Sequence, residues 1–557
     1  MNTKDEFAHY PQLAQTLLRN RGITTKDDAD RFLNPSYERD VNDPFLMQGM
    51  ERAVLRILKA METQEKIVIF GDYDCDGIPG SVILHDFFKK IGYDNVHVYI
   101  PHRHNEGYGM NIPAIETLAE QGSQLLITVD CGITEVQEVA RAHELGMEVI
   151  ITDHHLPGET LPSAYVIVNP KQQGDTYPDV MLCGAGVAWK LVCALLVHGR
   201  EKWSVSEGYE KWLLDMAGLA TIADMVPLQN ENRALAYFGL KVLRLSRRIG
   251  LKKILEKTGT IQTSLTEDDI GFTIGPRINA ASRMGIPMDA FRLLATTDEK
   301  EAEGLAEHLV HLNETRKGLV ASMVKEARKH LEARIVDGAL REVIVIGNPS
   351  WMPGLAGLVA GTLAEAYARP VFVWGRAEDG VIKGSCRSDG ACDVVELMTN
   401  VRVGMFLDIG GHARAGGFSL EHDGVHHLEN ELVRVYQSKI EIKKIETQMI
   451  DATLTLSDVT MTTWSIIERF APFGVGNPKP TFLFETVRIA EVKKFGKERT
   501  HLELRFENSR VKAISFFAEE KYLKISSGDT INLVAVMELN TFRGARELRL
   551  RIVNVVN

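Results

Sequence analysis

Between residues 66 and 168 short apolar runs, at 66–70, 96–100, 124–129, 148–152 and 165–168, alternate with amphipathic stretches of helical period. That alternation predicts a parallel α/β sheet. Three of the runs stop abruptly at polar chemistry. Phe70 leads into Asp72, Asp74 and Asp76, Val129 into Asp130, and Thr152 into Asp153, His154 and His155. Parallel strands would carry all three clusters to one edge of the sheet. A further helical stretch, 209–223, ends in Asp224 and supplies a fourth acid at an element boundary.

The pattern changes along the chain and divides it. Residues 1–45 have scattered apolar positions and a break at Phe32-Leu-Asn-Pro35, and read as an extension packed on the core that follows. The sheet with its helices occupies 46–230. Leu, Ala, Lys, Arg and Glu at helical spacing make 231–335 a helical connector, interrupted by one ordered loop at 275–285. A second α/β domain is expected at 336–440, with a strand near 341–347, a Gly- and Ala-rich helix near 355–368 and a strand near 370–374. A Lys- and Glu-rich linker at 439–444 precedes five short strands, which suggest a small OB-like barrel over 441–557.

Composition narrows the classes. With 557 residues, 45% apolar and 25% charged, the chain has material for several globular cores. No apolar run approaches the roughly 20 residues that span a bilayer, and the N-terminus carries no signal-like apolar segment, so a cytoplasmic protein is expected. Its six cysteines form no C-x-x-C pair and read as buried thiols. A net charge of −11 excludes attraction to a polyanion over the whole surface. Residues 441–557 nevertheless sum to about +3, so the barrel is the candidate polyanion binder. There Lys493, Lys494, Lys497, Arg499, Arg543 and Arg546 accompany Phe495, Phe516, Phe517 and Phe542, charges and rings suited to a strand's backbone and bases.

A single Asp after a strand is ordinarily a turn former or helix cap. Asp74, Asp76, Asp130, His154 and Asp224 gathered in one crevice are different: so many like charges repel unless cations lie among them. Two divalent ions resolve the conflict, and oxygen-rich ligands with an imidazole suit Mn²⁺ or Mg²⁺ better than structural zinc. Two such ions roughly 3.5–4 Å apart activate water and clamp both oxygens of an in-line displacement, which points to phosphoester hydrolysis.

The motifs Asp72-Tyr-Asp-Cys-Asp-Gly-Ile-Pro-Gly-Ser81, Val129-Asp-Cys-Gly132, Asp153-His-His155 and Ala223-Asp224 resemble, in order, the four motifs of the DHH phosphoesterase superfamily. Within it the chain resembles the RecJ-type exonucleases through Phe32-Leu-Asn-Pro35, Gly275-Pro-Arg-Ile-Asn279, Gly384-Ser-Cys-Arg-Ser388, Gly410-Gly-His-Ala-Arg-Ala-Gly-Gly417 and Pro472-Phe-Gly-Val-Gly-Asn-Pro478. The resemblance covers nearly the whole chain. It implies a Mn²⁺- or Mg²⁺-dependent enzyme that degrades single-stranded DNA from a free 5′ end to 5′-mononucleotides in recombination and repair. It also implies that the second α/β domain is the substrate-binding DHHA1 domain. Asp74, Asp76, Asp130, His154 and Asp224 are then the metal ligands and His155 the contact to the scissile phosphate, with Asp72 and Asp153 in supporting positions. Many relatives have His two residues before the first Asp; this chain has Phe70, so one metal must manage without that imidazole.

Arg277, Asn279 and Arg283 are candidates to hold a terminal phosphate, against ordinary interdomain pairing. Ser385, Arg387, His412 and Arg414 sit beside glycines that let backbone approach a phosphodiester. Together the three domains would form a channel for one strand, too narrow for a duplex. Two rivals stay open: a DHH phosphodiesterase acting on short RNA or cyclic dinucleotides, and a non-catalytic DNA-binding scaffold. A helicase and a single-strand-binding protein are the candidate partners, no membrane is involved, and without a coiled-coil pattern a monomer is expected.

Overall fold

The computed structural model describes residues 6–103, 105–336, 340–377, 380–439, 450–496, 499–518, 522–540 and 546–556. The first sheet contains β1 (Ile67–Gly71), β2 (Val96–Tyr99), β3 (Leu125–Val129), β4 (Glu148–Thr152) and β5 (Val166–Val168), ordered β2-β1-β3-β4-β5 with every pair parallel. Its apolar runs follow from cover on both faces. In β1 the side chains of Ile67 and Ile69 enter one core, and those of Val68 and Phe70 enter another under the helices Ile112–Glu120 and Val136–Glu144. Strand order reverses beside β1, since β2 lies on one side of it and β3 on the other, and loops there diverge to leave a crevice at the carboxyl ends of the strands.

The connector is helical throughout, and the expected loop at 275–285 is corrected. Residues Gly275–Met284 form a helix, entered through a π-helical turn, Ile270–Ile274. Gly275 and Pro276 open that helix rather than break it, because proline fits a helix's first turn, where its missing N–H is no loss. A 38-residue helix, Glu299–Val336, then leads to the second sheet. That sheet comprises β6 (Ile344–Gly347), β7 (Val371–Arg376), β8 (Ile382–Arg387), β9 (Asp408–His412) and β10 (Ala415–Leu420), in the order β6-β7-β8-β10-β9. Only β6 and β7 are parallel; the rest pair antiparallel.

The C-terminal strands are β11 (Ala452–Thr453), β12 (Thr481–Phe495), β13 (His501–Phe506), β14 (Lys512–Ser515), β15 (Thr530–Asn540) and β16 (Glu547–Val556). The last five close into a barrel, β12-β13-β14-β16-β15, because β12 also pairs with β15. β12 and β15 run well past the short strands expected, and β-bulges at Ile489/Glu491, Phe484/Val487 and Val534/Ala535 let the long strands bend around the barrel. Residues 440–444 of the expected linker, with Lys497, Phe542 and Arg543, lie outside the described residues.

The N-terminal extension packs on two cores rather than on the following one alone. Phe7, Leu17, Leu18, Ala29 and Leu33 share the barrel's core with Ile467, Phe470 and Phe482, whereas Tyr37, Val41 and Phe45 pack on the catalytic core and Asn42 bonds to Glu231 and Lys190 there. The barrel offers an apolar end to the helices Gln12–Asn20 and Lys26–Leu33. Arg233 fastens this arrangement. Its buried guanidinium donates to the carbonyls of Phe32 (2.7 Å), Phe470 (3.1 Å), Ala471 (3.2 Å) and Pro472 (3.4 Å). All six cysteines are unpaired thiols. No helix among the described residues is long and apolar enough to cross a membrane.

Candidate metal centre

The turn after β1 is built around its acids. Asp74 Oδ1 accepts the backbone N–H of Asp76 (2.7 Å) and Gly77 (3.2 Å), which starts the helix Gly77–Ile91. Asp76 receives Gly184 N–H on Oδ2 (2.6 Å) and Ala185 N–H on Oδ1 (2.7 Å) from the start of the helix Gly184–Gly199. A Cβ on Gly184 would stand 2.5 Å from Cβ of Asp130, so glycine is needed there for the helix to come this close. Asp130 itself has φ 64°, a left-handed backbone that costs an aspartate on the order of 1–2 kcal/mol.

After β4 the Asp153 carboxylate organises both histidines. Its Oδ1 accepts His154 N–H (2.7 Å), His155 N–H (3.1 Å) and His155 Nδ1 (2.8 Å), and its Oδ2 accepts Ile133 N–H (3.0 Å). His154 Nε2 stands 3.1 Å from Asp130 Oδ1, 3.6 Å from Asp76 Oδ2 and 3.8 Å from Asp224 Oδ2. Asp224 closes the C-terminal end of the helix Leu214–Ala223.

Three sets of possible ligand atoms result, each with its atoms within 4.8 Å of one another: Asp72, Asp74 and Asp130; Asp130, His154 and His155; Asp76, His154 and Asp224. Asp72, expected only in support, lies among these possible ligand atoms. It is buried, and its Oδ1 has no hydrogen-bond partner. Asp130 Oδ1 and His154 Nδ1 are likewise buried without one. His155, expected at the phosphate, also falls within ligand distance. Phe70 cannot approach: its ring is buried beneath the sheet, stacked on Tyr99 at 5.1 Å.

The electrostatics carry the mark of crowding. Burial, then repulsion from Asp76, Asp74, Asp72 and Asp224, drives the Asp130 carboxyl well above its ordinary range. Burial and Asp74 lift Asp76 to about 7, and burial, Asp76 and Asp74 lift Asp224 to about 9. Burial and its charged neighbour His155 push His154 down to about 3, leaving a neutral imidazole suited to ligation. Burial opposes charge on Asp153 and His155 too, but their mutual hydrogen bond overcomes it, holding the acid below and the imidazole above their usual values. Carboxylates that resist ionisation, a neutral imidazole and unpartnered buried oxygens fit a pair of hard divalent cations.

The crevice has a volume of about 260 Å³ and is lined by Asp72, Asp74, Asp130, His155 and Asp224, and by Tyr73, Arg103, Tyr108, Asn279 and Arg283. Asn279 accepts Cys75 N–H (2.9 Å), and Arg283 bridges to Gly354 O (2.9 Å) on the second α/β domain. Burial and the nearby Arg103, Arg316 and Arg387 lower Arg283 to about 9, a sign of converging guanidinium groups. Ser385 and Arg387 lie on β8 beside Gly357, and the His412 ring faces His155 in parallel, centroids 6.5 Å apart. Arg277 and Arg414 are not among the residues that line the crevice. Arg277 is buried and donates to Thr273 O (2.6 Å), one turn back along its helical segment, while Arg414 is exposed beside Gly390.

Arg103, Tyr108, Lys171 and Arg316 went unread in the sequence. Arg103 and Tyr108 follow β2, whose end shares the sheet edge with the acids, so strand order carried a usable signal. Tyr108 donates to Asp130 O (2.9 Å) and lies 3.1 Å from His155 Nδ1. Lys171 follows Asn169, whose side chain donates to His155 O (2.9 Å) and accepts Lys171 N–H (2.8 Å). On the barrel, Phe495, His501, Phe516 and Phe517 form a cluster of ring contacts from which Phe516 and Phe517 protrude.

Acids from four segments around a parallel-sheet crevice, faced by a second domain, define a DHH-type phosphoesterase. Family models agree: DHH family, N-terminal domain over 66–222, DHHA1 domain over 340–440, and RecJ OB domain over 450–554. The chain belongs to the RecJ family. It is 38% identical to the single-stranded-DNA-specific exonuclease RecJ of Bacillus subtilis, over 98% of this chain and 68% of that one. The Haemophilus influenzae enzyme of the same name is 33% identical over 97% and 95%. RecJ of Thermus thermophilus in complex with Mn²⁺ matches the structure with a TM-score of 0.81 at 27% identity, covering 99% of this chain and 77% of that one. Its Mg²⁺ complex matches with 0.75 at 26%, covering 99% and 76%.

Proposed function

We infer that the chain is a metal-dependent exonuclease of single-stranded DNA that starts at a free 5′ end and releases 5′-mononucleotides. The observation that carries this reading is the convergence of three ligand sets on Asp130 and His154, beside a wall of arginines. Asp72, Asp74, Asp76, Asp130, His154 and Asp224 would hold two Mn²⁺ or Mg²⁺ ions, with His155 within ligand reach. Such ions, when bound, lower the pKa of water and neutralise charge developing on a phosphoryl group.

The chain's own residues do the rest. Asp153 accepts the Nδ1 proton of His155 and favours the charged ring, so that its Nε2–H can donate to a phosphate oxygen. His412, facing that ring from the DHHA1 domain, closes the other side of the phosphodiester. Arg103, Arg283 and Arg387 offer donors to the terminal phosphate and fix where the strand begins. Barrel rings and lysines hold the strand beyond, and a crevice of this size excludes a duplex. A helicase that supplies unpaired strands and a single-strand-binding protein are the partners this reading implies, for a monomer working in the cytoplasm.

The test is digestion with Mn²⁺ of single strands labelled at either end, beside blunt duplex and dinucleotides. Mononucleotides released in order from the 5′ end, with loss of several orders of magnitude in Asp130→Ala, support the reading. Faster turnover of dinucleotides than of long strands, or full activity in Asp130→Ala, would overturn it.

A further inference from the structure

Two exposed apolar side chains belong to segments that join the loop leading into the barrel to the metal centre. Phe272 is 72% exposed and Met225 68% exposed, although a phenylalanine or methionine ordinarily gains by burial. A lone exposed apolar residue needs no explanation. These two are placed alike on separate segments, and both stretches of backbone are irregular.

On the first segment Asp224 belongs to the metal centre and Met225, at φ 60°, follows it. Three residues on, Leu228 N–H donates to Val475 O (2.7 Å) on the loop that leads into the barrel. On the second segment the order reverses. Asp268 and Glu267 pair with Lys479 of that same loop, Phe272 follows in the π-helical turn Ile270–Ile274, and Gly275 then packs on Cys75 and Ala223 at the metal side. Asn279, one helical turn further, holds Cys75 N–H. Each segment therefore runs between a barrel contact and a metal-side contact, with its exposed apolar side chain in the interval. Single-turn π-helical distortions recur at functional sites, and here the distortion belongs to the residue that presents the ring.

We propose that Phe272, supported by Met225, is a stacking platform for a base of the single strand as it passes from the barrel to the metal centre. The proposal rests on the reading of the chain as a single-strand exonuclease and adds a positioning residue to it. A ring accepts any base on its face, so the platform supplies grip without sequence preference. It touches neither the metals nor the scissile bond, so it acts on how the strand is held.

The experiment compares wild type, Phe272→Ala, Phe272→Leu and Phe272→Trp, as full chains with Mn²⁺. The substrates are a long 5′-phosphorylated oligonucleotide and the p-nitrophenyl ester of thymidine 5′-monophosphate, which is too short to reach the platform. Because Phe272 is exposed, truncation leaves the core intact. Phe272→Ala should raise KM for the oligonucleotide by about 5- to 100-fold, the worth of one stacked base, with kcat near wild type. Phe272→Trp should restore KM, Phe272→Leu should restore it only in part, and the short ester should be turned over alike by all four. A 2-aminopurine in the strand should be quenched by wild type and not by Phe272→Ala. An oligonucleotide KM within about twofold of wild type in Phe272→Ala, or equal losses on both substrates, would overturn the platform while leaving the exonuclease standing. Wild type that turns over the ester but spares the oligonucleotide would overturn both.

Discussion

Asp153→Asn tests whether the metal centre depends on a residue placed beside it. The carboxylate accepts four N–H groups, three on Oδ1 and one on Oδ2, and is fully buried. Asparagine keeps the shape and one oxygen. With that oxygen toward His154 and His155, its NH₂ faces the Ile133 N–H, donor against donor. Three charge-assisted bonds become neutral ones, a loss of about 1 kcal/mol each, and one buried N–H loses its acceptor at about 1–3 kcal/mol. Less acid crowding returns part of this, so a net destabilisation of about 3–5 kcal/mol is expected, read from the urea midpoint. The effect on turnover has a separate origin. His155 loses the partner that fixes its ring and tautomer, and loss of such an outer hydrogen bond ordinarily costs about 10–100-fold in metal affinity or activity. Steady-state digestion of single-stranded DNA across a Mn²⁺ titration measures it. The activation curve should move to higher Mn²⁺, and saturating ion should recover only part of the rate. A variant within about 1 kcal/mol of wild type in stability and within about twofold in rate at every Mn²⁺ concentration would refute the reasoning.

Arg233→Met removes a buried donor shared by three barrel-side carbonyls and Phe32 O, so a loss of about 3–5 kcal/mol is expected. Hydrogen exchange should show residues 7–33 and 470–478 opening first. Asp86 is opposed by burial, yet Arg248 and His85 hold its carboxyl below the ordinary range. Its stabilising contribution is therefore present above the unfolded pKa, about 3.9, and is lost as pH falls through the lower folded value. The gap in thermal midpoint between wild type and Asp86→Asn should accordingly shrink as pH drops from neutral toward about 3. Finally, the acids repel a strand that the arginines attract. An oligonucleotide short enough to fill only the crevice should bind far more tightly with Ca²⁺ than with chelator, as read by fluorescence anisotropy, and equal binding would contradict the charge balance.

Much of the catalytic fold was legible because period and burial coincide. A strand covered on both faces has to be largely apolar, as β1 and β3 are, and each of the runs from 66 to 168, the edge strand β2 included, lies within a residue or two of a strand. The acids were legible for a related reason, since strands that stop at Asp in parallel order share an edge. What stayed hidden depends on contacts between distant segments. Residues 275–285 read as a loop because Gly and Pro ordinarily punctuate, but nothing local shows that Pro276 falls in a first helical turn. The N-terminal helices are amphipathic, and a stripe shows that a face is covered without showing what covers it; here the barrel does, from the far end of the chain. Asp72 and Asp74 are both acids two positions apart, and only the turn geometry reveals that each reaches toward Asp130.

The same geometry explains why the centre tolerates so much that is unfavourable. Asp130 sits in left-handed backbone, so does Met225 after Asp224, and the carboxyls of Asp72, Asp76, Asp130 and Asp224 meet where burial resists their charge. Each feature costs free energy in the isolated fold, and none improves packing. They persist because neighbours over-determine them: Asp76 is held by two N–H groups, Asp153 by four, and Gly184 admits the helix against Asp130. A fold selected for stability alone would relax those constraints one substitution at a time. Strain concentrated at one sheet edge, and supported from both the β1 and β4 turns, is what a site poised for cations and phosphate requires, and that requirement accounts for unfavourable features that packing cannot.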